Sequence, residues 1–292
     1  MDLSIIILNY NNSELLKKCL ASVFNPVRKI SFEVVVVDNA STDDPLIMIK
    51  RDFPPVKVIV NSENLGFSKA NNQGISQSSG KYCLLLNNDT IVKPGAFEVL
   101  AEFMERHPSC GACGPKLLNE DGSLQRQGGL FGSSFWNASE PKRAQFLTGA
   151  CLMVRREVIN KIGLLDENLY FYNEDLDWCR RIKKAGWEIY YVPAAGVIHL
   201  GGYSTKREFN KKMFVEGFRG GLYFCRKHYG AFAFHIYRFA LALLFPFELL
   251  LLLFALPFSG AKKFSAKASA YFEVLRIALF GPIEYPWNET KS

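Results

Sequence analysis

Short apolar runs divide the first third of the chain into regular segments. Four of these runs predict β-strands, at residues 4–8, 33–37, 56–60 and 82–86. Most are continuous and β-branched rather than alternating, which is typical of strands covered on both faces. Residues 13–23 and 68–77 have the apolar spacing of helices. Strands alternating with helices predict an α/β fold: a doubly wound, mostly parallel sheet with helices on both faces.

A polar cluster follows each of these predicted strands. The clusters are residues 9–12, 38–43, 61–64 and 87–89. In open α/β sheets the ligand binds beyond the carboxyl ends of the strands. We therefore expect the four clusters to line one crevice, although polar residues are also ordinary in loops.

The middle of the chain has a less regular pattern. Residues 146–155 predict a strand, 173–185 a short amphipathic helix that Gly186 ends, and 188–192 a strand that Pro193 stops. A further short segment, 196–199, leads into a glycine pair. The many glycines in residues 111–135 predict irregular loops.

After Gly230 the chain becomes strongly apolar. Residues 239–258 are interrupted only by Pro246, Glu248 and Pro257. The run could span a bilayer, but a carboxylate and a proline near its middle are costly there. We expect interfacial or re-entrant helices; the alternatives are a full span and a buried helical hairpin in a soluble homodimer. We therefore predict a domain of residues 1–230 and a membrane-associating helical tail of residues 231–292. Within the tail, residues 261–270 have the pattern of an amphipathic helix.

Charge and cysteine content narrow the location of the protein. The net charge is +7, and basic residues flank the apolar run on both sides. This pattern suits an anionic membrane surface, whereas no nucleic-acid motif accompanies it. The seven cysteines are scattered, and the pair Cys110 and Cys113 lacks the second pair of a zinc site. We therefore expect the thiols to be free and buried, and the compartment to be reducing and cytoplasmic.

Three acidic positions are candidates for chemistry. Asp38, at a strand end, can accept the N3–H of uracil or thymine, or it can form a turn. Asp89 can bind a divalent ion, with His199 as a second ligand. Alternatively, Asp89 is a turn residue and His199 is an ordinary hydrogen-bonded histidine. One of the acids in 174–177 can act as a general base, or all can stabilise a helix N-terminus.

The order of these segments resembles a known family. It runs SIIILNYNN, VVVVDNASTDD, NLGFSKANNQG, LLLNNDT, TGACLMVRR, FYNEDLDWCRR and GWEIYYVPAAGVIHLGGYST. This series resembles family 2 glycosyltransferases of the GT-A fold, and it is most similar to their rhamnosyltransferase-like branch. The resemblance covers about residues 1–230, and nothing after residue 230 depends on it.

The resemblance implies roles for individual residues. The donor pocket would be lined by Asn9, Tyr10, Asn11, Asp38, Asn64, Gly66, Phe67, Asn72, Asn87 and Asn88, with Asp38 reading the pyrimidine. Asp89 and His199 would bind Mg²⁺ or Mn²⁺, and Asp175 would be the catalytic base. Gly149, Glu174 and Trp178 are expected to contact the acceptor. Asn87 replaces the usual first acid of the metal motif, so the donor diphosphate must supply more of the coordination.

The implied reaction is inverting transfer by single displacement. The donor would be a nucleotide-diphosphate sugar, such as dTDP-L-rhamnose or another dTDP- or UDP-sugar. The acceptor would be a hydroxyl of a glycolipid or a polysaccharide, at the cytoplasmic face of the inner membrane. The alternatives are a nucleotide-sugar-binding module without turnover and a nucleotidyltransferase. The latter would need a glycine-rich, basic loop where residues 9–12 stand.

Overall fold

The computed structural model describes residues 1–25, 29–127, 132–201, 209–254 and 261–281. The chain forms two compact units. The first comprises Met1–Asp166 and Glu174–Gly201, and the second comprises Glu167–Asn173 and Gly202–Ser292. The predicted boundary at residue 230 remains a prediction.

The first unit is built on a mixed sheet, which has nine strands among the described residues. They are β1 (Leu3–Asn9), β2 (Phe32–Asp38), β3 (Lys57–Val60), β4 (Tyr82–Asn87), β5 (Thr90–Val92), β6 (Cys110–Leu118), β7 (Lys142–Arg143), β8 (Cys151–Arg155) and β9 (Glu188–His199). The order is β3-β2-β1-β4-β8-β6-β9-β5, and β7 pairs with β9. Strands β1 to β4 are parallel, and β8 pairs antiparallel with β4 and β6.

Helices cover both faces of this sheet. They are α1 (Ser13–Phe24), α2 (Pro45–Asp52), α3 (Phe67–Ser76), α4 (Ala96–Arg106), α5 (Ser133–Trp136), α6 (Arg156–Ile162) and α7 (Glu174–Lys184). Ile5 and Ile7 of β1 pack into a core with α1 and α4, whereas Ile6 packs into a second core that includes residues of α6 and α7. Burial on both faces explains why β1, β2 and β4 are apolar without alternation. The predicted α/β fold is confirmed.

The loop prediction for residues 111–135 is wrong in its first part, because β6 is an interior strand of the sheet. Its glycines and proline hide a strand pattern. The two glycines of this strand are needed for close packing. A Cβ at Gly111 would lie 2.7 Å from Cβ of Trp187, and one at Gly114 would lie 3.0 Å from the Cys151 carbonyl oxygen.

The prediction that Pro193 ends a strand is also wrong. Strand β9 continues to His199, and its pairing with β6 shifts register where Val192 opposes Pro115 and Gly196 opposes Lys116. A bulge therefore accommodates the proline within the strand. The strand expected at 146–155 is shorter than predicted, because β8 begins at Cys151.

The described part of the second unit is dominated by helices α8 (Lys211–Phe254) and α9 (Ala261–Phe280). Gly230, with φ of 82° and ψ of −172°, breaks the helical backbone of α8, whereas Pro246 lies within it. Phe234, Leu241 and Phe245 of α8 are buried in a small core that also contains residues of α9. The end of the apolar run, residues 255–258, lies outside the described residues.

Large apolar side chains lie exposed along the second half of α8. At spacings of three and four residues they form an exposed apolar stripe: Phe232, Ile236, Phe239, Leu243, Phe247, Leu250 and Phe254. Among the described helices, α8 is the one whose length and composition would allow it to cross a membrane.

Candidate functional site

The parallel register of β1, β2 and β4 brings three of the polar clusters to one edge of the sheet. Asn9 lies opposite Asp38, and Leu8 lies opposite Asn87. The Asn9 side chain is buried between its neighbours: its Nδ2 donates to Asp38 Oδ1 at 3.0 Å, and its Oδ1 accepts from Asn88 Nδ2 at 2.8 Å. Asn9 therefore holds Asp38 and Asn88 in fixed orientations.

Asp38 is buried and forms a turn with Ser41. Its Oδ1 accepts from Ser41 Oγ at 2.6 Å, and its Oδ2 accepts from the Ser41 amide at 3.1 Å. The turn that the sequence allowed is therefore present. The role of Asp38 in reading a pyrimidine stays a prediction.

Asn39 organises the loop before α3, a role that the sequence did not reveal. Its Nδ2 donates to Asn64 Oδ1 and to the Gly66 carbonyl, both at 3.1 Å. Its Oδ1 accepts from Asn61 Nδ2 at 2.9 Å and from the Leu65 amide at 3.3 Å. A fully used, buried amide of this kind fixes the loop rigidly.

Other residues of the predicted donor pocket differ in exposure and in their hydrogen-bond partners. Tyr10 is exposed, and Asn11 accepts a hydrogen bond from the Thr42 amide at 2.8 Å. Asn72 is buried and bonds the main chain of Leu165 in both directions, at 2.9 and 3.0 Å. Its amide is thus used within the protein core, which argues against the predicted contact with the nucleotide.

Asp89 and His199 meet because β5 pairs antiparallel with β9. Thr90 lies opposite His199, and the Leu200 amide donates to the Asp89 carbonyl at 2.9 Å. This register places Asp89 Oδ1 3.3 Å from His199 Nε2. Asn87 Nδ2 lies 3.4 Å from the same ring nitrogen.

The other ring nitrogen of His199 has a partner that the sequence analysis missed. His199 Nδ1 lies 2.7 Å from Oε1 of Gln125, which follows the end of β6. Because the end of β6 was predicted as irregular loop, no sequence signal singled out this glutamine.

One carboxylate and one imidazole with adjacent ligand atoms suit a divalent ion that completes its shell with other oxygens. Within the described residues, no group of three or more His, Cys, Asp or Glu side chains is placed to hold a metal. The pair at β5 and β9 therefore fits an ion whose further ligands come from a bound phosphate ester or from water.

Asp175 is the second residue of α7, and the main chain orients its carboxylate. Oδ2 accepts from the Gly149 amide at 3.1 Å, and Oδ1 accepts from the Leu176 amide at 2.8 Å. Burial raises the pKa of this carboxyl, although hydrogen bonds from backbone amides oppose the shift. A Cβ at Gly149 would lie 3.8 Å from Cβ of Asp175 and 3.5 Å from Cζ of Phe67, so Gly149 packs against both residues.

Glu174 is buried beside Asp175. Among the described residues its Oε2 has no hydrogen-bond partner. Burial, and secondarily the charge of Asp175, raise the pKa of the Glu174 carboxyl well above its usual range. Two adjacent acids with raised pKa values are typical of functional sites.

The other predicted residues of α7 are structural. Asp177 is buried and pairs with Arg181 Nε at 2.7 Å, which removes it as a base. Trp178 is completely buried, and its indole Nε1 donates to the Gly163 carbonyl at 3.1 Å. Its position in the core argues against the predicted contact with an acceptor.

Comparison with known proteins identifies the family of this chain. The model of the family described as glycosyl transferase family 2 matches residues 4–163. An N-acetylglucosaminyl-diphospho-decaprenol L-rhamnosyltransferase of Mycobacterium tuberculosis is 31% identical over 242 residues, which cover 70% of this chain and 78% of the relative. A dTDP-rhamnosyl transferase of Shigella flexneri is 26% identical, with 69% of this chain and 70% of the relative covered.

Solved structures show the same fold. A mannosyltransferase from Pyrobaculum calidifontis, in complex with GDP-Man and Mn²⁺, superposes with a TM-score of 0.58 at 18% identity. The match covers 95% of this chain and 87% of that structure. The fold is therefore that of the GT-A glycosyltransferases.

Proposed function

This chain belongs to glycosyl transferase family 2, and we propose that it is an inverting enzyme that transfers a sugar from a dTDP- or UDP-sugar to an acceptor hydroxyl. L-Rhamnose is the proposed sugar, because two relatives are named for its transfer. A glycolipid or a growing polysaccharide is the proposed acceptor, and the mycobacterial relative is named for a diphospho-decaprenol glycolipid.

The observation that supports this proposal most directly is the environment of the Asp175 carboxylate. Two main-chain N–H groups fix its carboxylate, and Gly149 lies directly beside it. A general base must be held in one orientation within hydrogen-bond reach of the proton that it removes, with a pKa tuned toward the working pH. The raised pKa of Asp175 moves it in that direction. In the proposed reaction Asp175 accepts the proton of the acceptor hydroxyl as that oxygen attacks the anomeric carbon.

Asp89 and His199 are the residues proposed to hold a divalent ion, Mg²⁺ or Mn²⁺. When bound, such an ion would neutralise the charge that develops on the departing nucleoside diphosphate. An imidazole ligand favours Mn²⁺ over Mg²⁺, because Mg²⁺ prefers oxygen ligands. Asn87 and Asn88 border this pair, and Asn9 orients Asn88.

Asp38 is the proposed reader of the base. A carboxylate accepts from the N3–H of thymine or uracil, whereas neutral cytosine has no such proton. Asn9 and Ser41 already hold its Oδ1. Asp38 should therefore select thymine and uracil nucleotides over cytosine nucleotides. Contacts other than this carboxylate must distinguish dTDP from UDP.

A ligand screen followed by a turnover assay tests this function. With Mn²⁺ present, dTDP-L-rhamnose, dTDP and UDP should raise the melting temperature, and CDP should not. Release of dTDP should then depend on a polyprenyl-diphosphate-linked N-acetylglucosamine acceptor. Stabilisation without any acceptor-dependent release would favour a binding module, and equal stabilisation by CDP would remove Asp38 as the base reader.

We further propose that the helical second unit lies on the cytoplasmic face of the inner membrane. The exposed apolar stripe of α8 supports this, because its side chains would otherwise face water. The half-buried Glu248 lies off the stripe. Arg226, Lys227 and Arg276 are exposed basic residues on the same two helices, and they suit anionic lipid headgroups.

A further inference from the structure

We infer that Gln125 is a positioning residue that keeps the proton of neutral His199 on Nδ1 and so leaves Nε2 free to bind the metal. This inference rests on the proposed function for the role of the metal. It concerns the tautomer of one ring, which can be measured without any metal or substrate.

The direction of the hydrogen bonds around Gln125 follows from groups that can only accept. Its Nε2 donates to the His199 carbonyl at 3.2 Å and to Asn119 Oδ1 at 3.1 Å. Both partners are carbonyl oxygens, so the amide nitrogen must face them. The Oε1 atom is thereby turned toward His199 Nδ1, 2.7 Å away. A carbonyl oxygen cannot donate, so Nδ1 must carry the hydrogen.

A turn after β6 anchors this arrangement. Ser123 Oγ donates to Asp121 Oδ1 at 2.6 Å, and Asn119 Nδ2 donates to Ser123 Oγ at 2.9 Å. The bonds from Ser123 hold the pKa of the Asp121 carboxyl below its usual range, so at neutral pH it only accepts. An ordered series of donors and acceptors therefore runs from Asp121 through Ser123, Asn119 and Gln125 to His199.

Gly201 shows that the position of Gln125 is built into the fold. Its φ is 57°, and a Cβ at this position would lie 2.7 Å from Gln125 Nε2. A larger residue would therefore displace the amide that contacts His199. The second glycine of the pair, Gly202, lies outside the described residues.

Two neighbours of His199 Nε2 act in opposite directions. Asn87 Nδ2, an amide donor 3.4 Å from Nε2, favours a proton on Nδ1, whereas Asp89 favours the other tautomer. With Asp89 Oδ1 3.3 Å from Nε2, a proton on Nε2 would have a carboxylate to bond, and that proton would block the metal. Gln125 offers Nδ1 a competing acceptor at a shorter distance. Metal-bound histidines commonly donate their second nitrogen in this way, and loss of such a partner typically weakens metal binding about 10- to 100-fold.

Nitrogen NMR of ¹⁵N-histidine-labelled full-length protein, without metal at pH 8.5, tests the inference directly. His199 should be protonated on Nδ1 in the wild type. In Gln125→Met, which removes the acceptor of the Nδ1 proton, the population should shift toward Nε2–H. His107 is an internal control, because its Nδ1 lies 2.8 Å from the Phe103 carbonyl and should keep its proton in every variant.

Binding of Mn²⁺ alone, followed by the electron paramagnetic resonance of free Mn²⁺, supplies the second readout. Gln125→Met should weaken binding about 10- to 100-fold, and the exposed Glu140→Gln should bind Mn²⁺ as the wild type does. The inference is overturned if wild-type His199 carries its proton on Nε2, a measurement that needs no variant to fold. It is also overturned if Gln125→Met keeps the Nδ1–H form. Failure of the proposed sugar transfer would leave both tautomer results unchanged.

Discussion

Oδ1 of Asp89 lies 3.3 Å from Nε2 of His199, although the two residues are far apart in the chain. The antiparallel register of β5 and β9 sets this distance, because it places Thr90 opposite His199. Two residues distant in sequence thus become the pair proposed to hold a divalent ion. The same register explains why β9 must continue past Pro193.

Removal of either member of this pair should weaken metal binding. Loss of an outer partner typically lowers metal affinity about 10- to 100-fold, so Asp89→Asn and His199→Ala should each raise the Kd for Mn²⁺ at least about tenfold. Calorimetric titration with Mn²⁺ measures this. Asp43→Asn, which changes an exposed acid at the end of the neighbouring cluster, is the matched control and should leave the Kd unchanged. An unaltered Kd in both ligand variants would place the ion elsewhere.

Trp178 should matter for stability rather than for acceptor binding. Its side chain is completely buried, so Trp178→Ala should lower the free energy of unfolding by about 3–5 kcal/mol, measured in urea. Trp178→Phe keeps most of the apolar volume and should leave the acceptor KM unchanged. A large rise in that KM with normal stability would show that the indole contacts the acceptor.

Glu174 should destabilise the fold at neutral and alkaline pH. Burial raises its pKa in the folded protein, so the unfolded chain releases this proton at a lower pH than the folded chain does. The stability linked to this group is present below its ordinary pKa of about 4.5 and is lost as the pH rises through the raised value.

Glu174→Gln should therefore raise the free energy of unfolding at pH 8 and change it little at pH 4. Urea titrations at the two pH values measure the difference, with the exposed Glu140→Gln as control. A stabilisation of equal size at both values would mean that the charge of Glu174 is not the cause.

The exposed apolar stripe should govern membrane binding. Burial of one large apolar side chain contributes about 1.5–3 kcal/mol, so Phe239→Glu should lower binding to anionic vesicles at least about tenfold. Sedimentation with vesicles measures this. Ile47→Glu is the matched control, because Ile47 is 66% exposed in the first unit and Phe239 is 65% exposed on α8. Equal binding of both variants would show that the stripe does not contact lipid.

The sequence predicted the parts of the fold that depend on local pattern. Strands β1, β2 and β4 are continuous apolar runs because both of their faces are buried, and their polar ends identify the edge that holds Asn9 and Asp38. Strand β6 was not predicted because glycine has a low strand propensity. Gly111 and Gly114 are required there by close contacts with residues that are distant in the sequence.

The candidate site could be predicted from the sequence only where its residues lie at the ends of strands or helices. Asp89, Asp175 and His199 stand at such boundaries, and the family resemblance assigned their roles. Asn39 and Gln125 could not be found, because their importance lies in tertiary hydrogen bonds. Asn72 and Trp178 occupy motif positions but face the core, which only the packing reveals.

The most direct test of Asp175 as the base is the rate of sugar transfer by Asp175→Asn, measured in parallel with its nucleotide affinity. The amide cannot accept the acceptor's proton as a base, so transfer should fall at least about 100-fold. The Kd for dTDP should stay nearly unchanged, and the exposed Glu140→Gln should behave as wild type. An Asp175→Asn enzyme with full transfer activity would contradict the assignment of Asp175 as the base.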